Sequence, residues 1–195
     1  MTQTKPFIVG IGGTAAPASS TEQALALALA SAERAGATVR MFGGQTLAAL
    51  PHYMTEGAAG CAEGKALVEA VRAADGLIVA SPGYHGSISG MVKNAIDYLE
   101  ETAKDERVYL DGVPVGLIAT AYGWQATGST IAALRSIVHA LRGWPTPFAA
   151  TINTQVTKFD DQGGVTDPAV LDQLNLVGRQ VARFVPLAGA GGGSA

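Results

Sequence analysis

The feature that most strongly constrains the fold of this chain is a short apolar run that ends in a tight turn and is followed by a helix. The run is Leu77-Ile78-Val79-Ala80, and Ser81-Pro82-Gly83 follows it directly. From 88 to 104 the apolar residues recur at helical spacing. A strand that is apolar on both sides is typical of a parallel sheet with helices on both faces. Open sheets of this kind bind ligands at the carboxyl edge of their strands, where this turn lies.

The same alternation of strand-like and helix-like segments runs through the chain. Strands are predicted at 7–11, 38–42, 77–80, 113–120 and 148–151. Helices are predicted at 21–35, 62–74, 88–104, 128–141 and from Pro168 onward, and 43–62 is predicted to be a long loop. Five strands that alternate with five helices predict one α/β domain with a parallel sheet and right-handed crossovers.

Composition narrows the class of protein. The 195 residues are 48% hydrophobic and 15% charged, which favours a well-buried domain. A net charge of −3 without charged blocks predicts no nucleic-acid partner. The single cysteine, Cys61, excludes an internal disulfide, and no metal-ligand cluster surrounds it in the sequence. The first apolar run is too short for a signal peptide or a membrane span, so we expect a cytoplasmic location.

The connection after the first strand is rich in groups that bind phosphate. Gly12-Gly13-Thr14 opens it, and Ser19-Ser20-Thr21 closes it just before the helix. The free N–H groups and dipole of a helix N-terminus attract anions, and four hydroxyls add donors. These hydroxyls belong to Thr14, Ser19, Ser20 and Thr21. The alternative is structural: Ser19 or Ser20 caps the helix and the glycines only turn the chain.

Two other phosphate-binding motifs fit this connection poorly. A Walker A loop requires a lysine, which is absent here. Gly10, Gly12 and Ala15 match the spacing of a dinucleotide fingerprint, but the loop continues for several residues before the helix begins. The second strand ends at Met41-Phe42-Gly43 without the acid that binds a ribose. A long loop with many hydroxyls therefore favours a mononucleotide.

From about Phe7 to Phe184 the chain resembles the NAD(P)H-dependent FMN reductases, which are flavodoxin-like proteins. The segment 81–99 and the hydroxyl-rich first loop carry this resemblance. Ala16 stands where the family has an arginine, and His85 where it commonly has asparagine. The resemblance implies a three-layer sandwich with a five-stranded parallel sheet in the order 2-1-3-4-5. One FMN-binding domain would cover 1–187, and the Gly-rich residues 188–195 would form a flexible tail.

The resemblance also implies which loops contact FMN. Pro82-Gly83 predicts a type II turn by itself, and Gly86 permits a second close backbone approach. By resemblance, the flavin ring is surrounded by Pro82, Gly83, Tyr84, His85, Gly86 and Ser87. The loop after the fourth strand, by resemblance, borders the pyrimidine end with Thr120, Ala121, Tyr122, Gly123 and Trp124. No side chain is required as a catalyst; His85 either donates to the flavin and relays protons or is an ordinary loop residue.

The function implied by the resemblance is that of an oxidoreductase, a flavoprotein that passes a hydride from NADH or NADPH to FMN. Reduced FMN would go to a monooxygenase, or electrons would go to a quinone, an azo compound or another small acceptor. A homodimer or homotetramer is expected, with the third helix and the long second loop at its interface. Two alternatives stay open: a flavodoxin-type electron carrier, against which the modest charge argues, and a flavin-free binding module of the same fold.

Overall fold

Residues 5–58 and 60–189 are described by the structure, a computed structural model. Its strands are β1 (Phe7–Gly12), β2 (Thr38–Phe42), β3 (Gly76–Tyr84), β4 (Ser87–Ile88), β5 (Pro114–Ala121) and β6 (Trp144–Asn153). Its helices are α1 (Ser20–Arg34), α2 (Gly44–Ala49), α3 (Ala62–Ala73), α4 (Gly90–Asp97), α5 (Trp124–Ala140) and α6 (Pro168–Gly189). A 3-10 helix, Tyr98–Thr102, continues α4. Residues 190–195 of the Gly-rich tail lie outside the described residues.

Five parallel strands form the sheet in the order β2-β1-β3-β5-β6, and β4 adds a short antiparallel strand beside β3. The predicted flavodoxin-like order is therefore confirmed, with one additional strand. Consecutive side chains of each central strand point to opposite faces, so each strand contributes to two cores. Ile8 and Ile78 pack with α1 and α6 on one face. Val9 and Leu77 pack on the other face with the remaining helices.

The end of β3 differs from the prediction. Gly83 is not in the positive-φ conformation of a type II turn; it pairs with Ile88 in an antiparallel hairpin. The chain reverses instead at His85 and Gly86, whose φ angles are 50° and 87°. Two positive φ angles are typical of a type I′ hairpin turn. The predicted turn at Pro82-Gly83 is therefore wrong, because hydrogen bonds across the hairpin extend the strand.

Three other boundaries also differ. The predicted loop 43–62 contains α2, and α5 begins at Trp124 instead of 128. The predicted strand 148–151 begins earlier, because residues 144–147 also belong to β6, whose pairing with β5 is irregular between Val115 and Leu117. The guanidinium of Arg135 donates to two carbonyls in this irregular stretch. Among the helices of residues 5–58 and 60–189, none is both long and apolar enough to cross a membrane.

Candidate functional site

The carboxyl ends of β1, β3 and β5 lie side by side, because β3 pairs with both other strands. Gly12 is opposite Ala80, and Pro82 is opposite Thr120. The connections that follow these ends therefore meet at one edge of the sheet. We call this the carboxyl-edge site, and it comprises the loops Gly13–Ser19, Tyr84–Ser87 and Tyr122–Gly123.

The first of these loops, Gly13–Ser19, leads into the N-terminus of α1 and has hydroxyls at both ends. The Ser19 hydroxyl caps the helix by accepting from the backbone N–H of Glu22 at 3.4 Å. The Thr14 hydroxyl accepts from the N–H of Ala16 at 3.3 Å. Each hydroxyl keeps its own hydrogen for donation. Ser20 is the first residue of the helix, so its N–H is one of those that a helix cannot pair internally.

Two threonines brace this corner from beneath. Thr21 and Thr120 are buried, and their hydroxyl groups hydrogen-bond to each other. The bond joins the first turn of α1 to the end of β5. Only one of the two hydroxyls can donate in this pair, so the hydrogen of the other is not used in this bond. Thr21 and Thr120, both predicted to contact FMN, therefore lie beneath the loops and join α1 to β5.

Glu22 is a site residue that sequence reasoning missed. Its carboxylate accepts a hydrogen bond from the backbone N–H of Gly44 at 2.6 Å, and so joins α1 to the start of α2. The sequence contains a signal for it, because Ser19 and Glu22 have the spacing of a helix capping box. In this chain the carboxylate contacts a neighbouring element instead of its own helix.

The hairpin of β3 and β4 carries the second loop over the edge of the sheet. The buried Ser81 hydroxyl donates to the Pro82 carbonyl at 2.9 Å and accepts from the N–H of Ser89 at 3.0 Å. The Ser89 hydroxyl in turn caps α4 by accepting from the N–H of Val92. The hairpin is thereby fixed at its base. The residues of its tip, Tyr84, His85, Gly86 and Ser87, are exposed.

A second missed residue, Asn153, positions the third loop. Its buried side-chain oxygen accepts from the N–H of Gly123 at 3.1 Å and from the N–H of Gln155 at 3.0 Å. Gly123 itself has a φ of 127°, which favours glycine. Tyr122 and Trp124 flank it and are 76% and 59% exposed. The sequence does contain a signal for Asn153, because it is a polar residue that follows an apolar strand ending at the same edge of the sheet.

A cavity lies elsewhere, away from the carboxyl edge of the sheet. Its volume is about 710 Å³, and it is lined by residues of α3, the 3-10 helix and the segment before α3, including Tyr53, Val68 and Tyr98. None of its lining residues belongs to the carboxyl-edge site. Within residues 5–58 and 60–189, no three His, Cys, Asp or Glu side chains are grouped as metal ligands.

Known proteins resemble this chain at the level of family and of fold. The family model described as NADPH-dependent FMN reductase matches residues 6–157. An FMN-dependent NADPH-azoreductase of Staphylococcus haemolyticus strain JCSC1435 is 38% identical over 94 residues, which are 48% of this chain and 46% of that protein. Its counterpart in Staphylococcus aureus strain USA300 is 39% identical over 98 residues, or 50% and 48%. The matched part therefore spans about half the length of these curated relatives.

Two solved structures share the fold across nearly the whole chain. An NADH:FMN oxidoreductase in its apo form superposes with a TM-score of 0.71 at 23% identity, covering 94% of this chain and 90% of that one. An oxidoreductase from Corynebacterium diphtheriae superposes with a TM-score of 0.72 at 19% identity, covering 94% and 98%.

Proposed function

The chain belongs to the family of NADPH-dependent FMN reductases, and we propose that it binds FMN at the carboxyl-edge site and reduces it with a nicotinamide nucleotide. The observation that carries this proposal is the meeting of a hydroxyl-rich helix N-terminus with two exposed loops at one sheet edge. A phosphate and a flat ring, which FMN combines, suit these two parts of the site.

The first loop fits a phosphate by its donors. Thr14, Ser19 and Ser20 are half-buried at this corner, next to the N–H groups of the first turn of α1. The helix dipole adds a partial positive charge. Gly12 permits the close approach of the strands, because a Cβ there would be 2.9 Å from the Cβ of Ala80. Thr21 and Thr120 hold this corner together.

The second and third loops fit a ring by their exposed backbone and side chains. Tyr84, His85, Gly86 and Ser87 are exposed at the hairpin tip, and Tyr122 and Gly123 face the same edge. Bound FMN supplies the redox chemistry by accepting a hydride from reduced nicotinamide. The task of these residues is to orient the two rings and to limit access of water. His85 remains the proposed hydrogen-bond donor to the ring.

The proposed acceptor is free or bound FMN, with reduced FMN passing to a monooxygenase. The second candidate is a quinone or azo reductase, because two similar proteins are named azoreductases. Exposed aromatic side chains at the rim, Tyr84, Tyr122 and Trp124, favour a flat aromatic acceptor in that case. A flavodoxin-type carrier is the remaining alternative.

A steady-state assay tests the proposal. The purified protein is mixed with FMN and with NADH or NADPH, and nicotinamide oxidation is followed by absorbance. We expect oxidation that depends on both FMN and protein. An azo dye or a quinone added to the same mixture distinguishes the two acceptor classes by whether the rate rises. Absence of nicotinamide oxidation, despite quenching of FMN fluorescence by the protein, would favour the carrier and contradict the reductase.

We further propose a cytoplasmic homodimer or homotetramer. The segments expected at its interface are 43–62 and the region of α4 with the 3-10 helix. Met54, on the first of these segments, is 83% exposed, which supports contact with another copy. Light scattering coupled to size-exclusion chromatography measures the oligomeric state, and a monomer at micromolar concentration would contradict it.

A further inference from the structure

We propose that Glu22 is a positioning residue that holds the loop Gly13–Ser19 against the start of α2 and thereby sets the affinity for the FMN phosphate. The inference rests on the proposed function, because it concerns the ligand of the same site. It adds a residue whose carboxylate hydrogen-bonds to a second backbone segment, at Gly44.

The geometry of the carboxylate supports a bridging role. Glu22 is the third residue of α1 and is half-buried. Its Oε2 atom lies 2.6 Å from the backbone nitrogen of Gly44, which is the first residue of α2. The residue before α2, Gly43, has no side chain that could cap the helix. The carboxylate therefore satisfies an N–H that the short helix leaves unpaired, and it does so from a different element.

Three glycines enclose this carboxylate. A Cβ built on Gly13 would be 2.8 Å from Oε2 and 2.7 Å from the nitrogen of Gly44. A Cβ on Gly43 would be 2.8 Å from Oε1, and one on Gly44 would be 3.0 Å from Oε2 and in collision with the Thr14 carbonyl. Only hydrogen fits at these positions. The carboxylate thus fills a space that both loops leave for it, in direct contact with the backbone before Thr14.

Loss of the carboxylate would loosen the loop. Gly13 has a φ of 132°, and the residues after Thr14 are exposed as far as Ala18, so few other contacts restrain this backbone. A loop that samples more conformations must be ordered when the ligand binds, which lowers affinity. The cost falls on the phosphate, since the ring contacts lie on other loops. Riboflavin, which has the ring without the phosphate, should be affected far less.

Fluorescence quenching measures dissociation constants for FMN and riboflavin in four proteins. These are the wild type, Glu22→Ala, Glu22→Gln and the matched control Glu33→Ala, whose residue is exposed on the same helix. Glu22→Ala should weaken FMN binding by about tenfold or more, the effect of losing a hydrogen bond to a charged group. Its riboflavin affinity should stay within about threefold of the wild type. Glu22→Gln keeps an acceptor and should stay within the same range for both ligands, as should Glu33→Ala.

Hydrogen exchange on the ligand-free protein tests the bridge independently. The amides of Gly13–Ser19 and Gly44 should exchange faster in Glu22→Ala than in the wild type, with the sheet unchanged. Should Glu22→Ala fail to fold, Glu22→Asp, which is one methylene shorter, provides the same comparisons.

Wild-type FMN affinity in Glu22→Ala, or an equal loss for FMN and riboflavin, overturns the inference. An equal loss of FMN affinity in Glu22→Gln and Glu22→Ala also overturns it, since the charge alone would then matter. A wild-type protein that binds no FMN contradicts the proposed function instead, and the exchange experiment still reports on the bridge.

Discussion

Ser20 is the residue at which the phosphate assignment can be tested most directly. It is the first residue of α1, half-buried, and next to the capping Ser19. An aspartate at this position is favourable for a helix N-terminus, so Ser20→Asp should fold with unchanged or higher thermal stability. The same carboxylate would repel a bound phosphate at close range.

We therefore expect Ser20→Asp to weaken FMN binding by about tenfold or more, with the loss reduced at high ionic strength. Fluorescence titration at two salt concentrations measures it, and Ser20→Ala serves as the control for loss of the hydroxyl alone. Riboflavin binding should change little. Unchanged FMN affinity in Ser20→Asp would contradict the phosphate assignment.

At the scale of elements, hydrophobic periodicity predicted the strands and helices that can be recognised from their own stretch of sequence. The strand Thr38–Phe42 was predicted with its observed bounds, and α1 and α6 were located to within a residue at their starts. These segments have clear apolar patterns and recognisable ends. The same reasoning located the three loops of the carboxyl-edge site, since each follows an apolar strand on the same edge.

Elements held by distant contacts could not be predicted in this way. The helix α2 has six residues, begins at a glycine and has no capping side chain on its own N-cap residue, Gly43. Its contacts come from Glu22 and from burial of Leu47, neither of which a local pattern reveals. Likewise, α5 begins after Gly123 without a capping side chain. The bridge from Glu22 and the support from Asn153 were missed for the same reason, because both join residues far apart in the sequence.

The segment that connects α2 to α3 is fastened by side chains from α4 and the 3-10 helix. Asn94 accepts from the N–H of Tyr53 at 2.8 Å, and the Tyr98 hydroxyl donates to the Pro51 carbonyl at 2.8 Å. The Tyr53 hydroxyl donates to Glu101 at 2.9 Å. Burial, followed by this bond and the charge of Glu101, raises the pKa of Tyr53 from 10.0 to about 12.

This raised pKa predicts a loss of stability in alkali. The folded protein holds the phenol proton more tightly than the unfolded chain does, so the contribution of Tyr53 is complete below pH 10. It is lost as the pH rises from 10.0 towards about 12. Tyr98 and Tyr109 contribute in the same direction, because the pKa of each is also raised.

Tyr53→Phe should therefore make the free energy of unfolding less dependent on pH above 10, while it lowers stability at neutral pH by about 1 kcal/mol. Urea denaturation between pH 7 and 11 measures both effects. Tyr122→Phe is a suitable control, because Tyr122 is 76% exposed. An unchanged pH dependence in Tyr53→Phe would contradict the raised pKa of Tyr53.

For the whole molecule, the distribution of positive charge bears on which nicotinamide nucleotide is used. All 13 lysines and arginines lie among the described residues, and none is in the three loops of the carboxyl-edge site. Lys158, which follows β6, is engaged with the carbonyl of Thr154 at 2.9 Å. Arg72, Arg107 and Arg135 donate to Asp105, to the Ala74 carbonyl and to the Thr146 carbonyl, respectively. The site therefore offers neutral donors and a helix dipole.

A 2′-phosphate distinguishes NADPH from NADH, and it is commonly held by an arginine. Without a cation in these loops, we expect the catalytic efficiency with NADH to equal or exceed that with NADPH, although the similar azoreductases are named for NADPH.

Ala16 is exposed in the first loop, so Ala16→Arg adds a guanidinium there without disturbing the core. Efficiency with NADPH should rise by about tenfold at low ionic strength, and the gain should shrink as salt is added. Efficiency with NADH should stay within about threefold, and Ala16→Gln, which is long but uncharged, should change neither. Steady-state kinetics with both nucleotides at two salt concentrations provide the measurement. A strong preference of the wild type for NADPH would contradict the charge argument, because a cation from outside these loops would then have to reach the nucleotide.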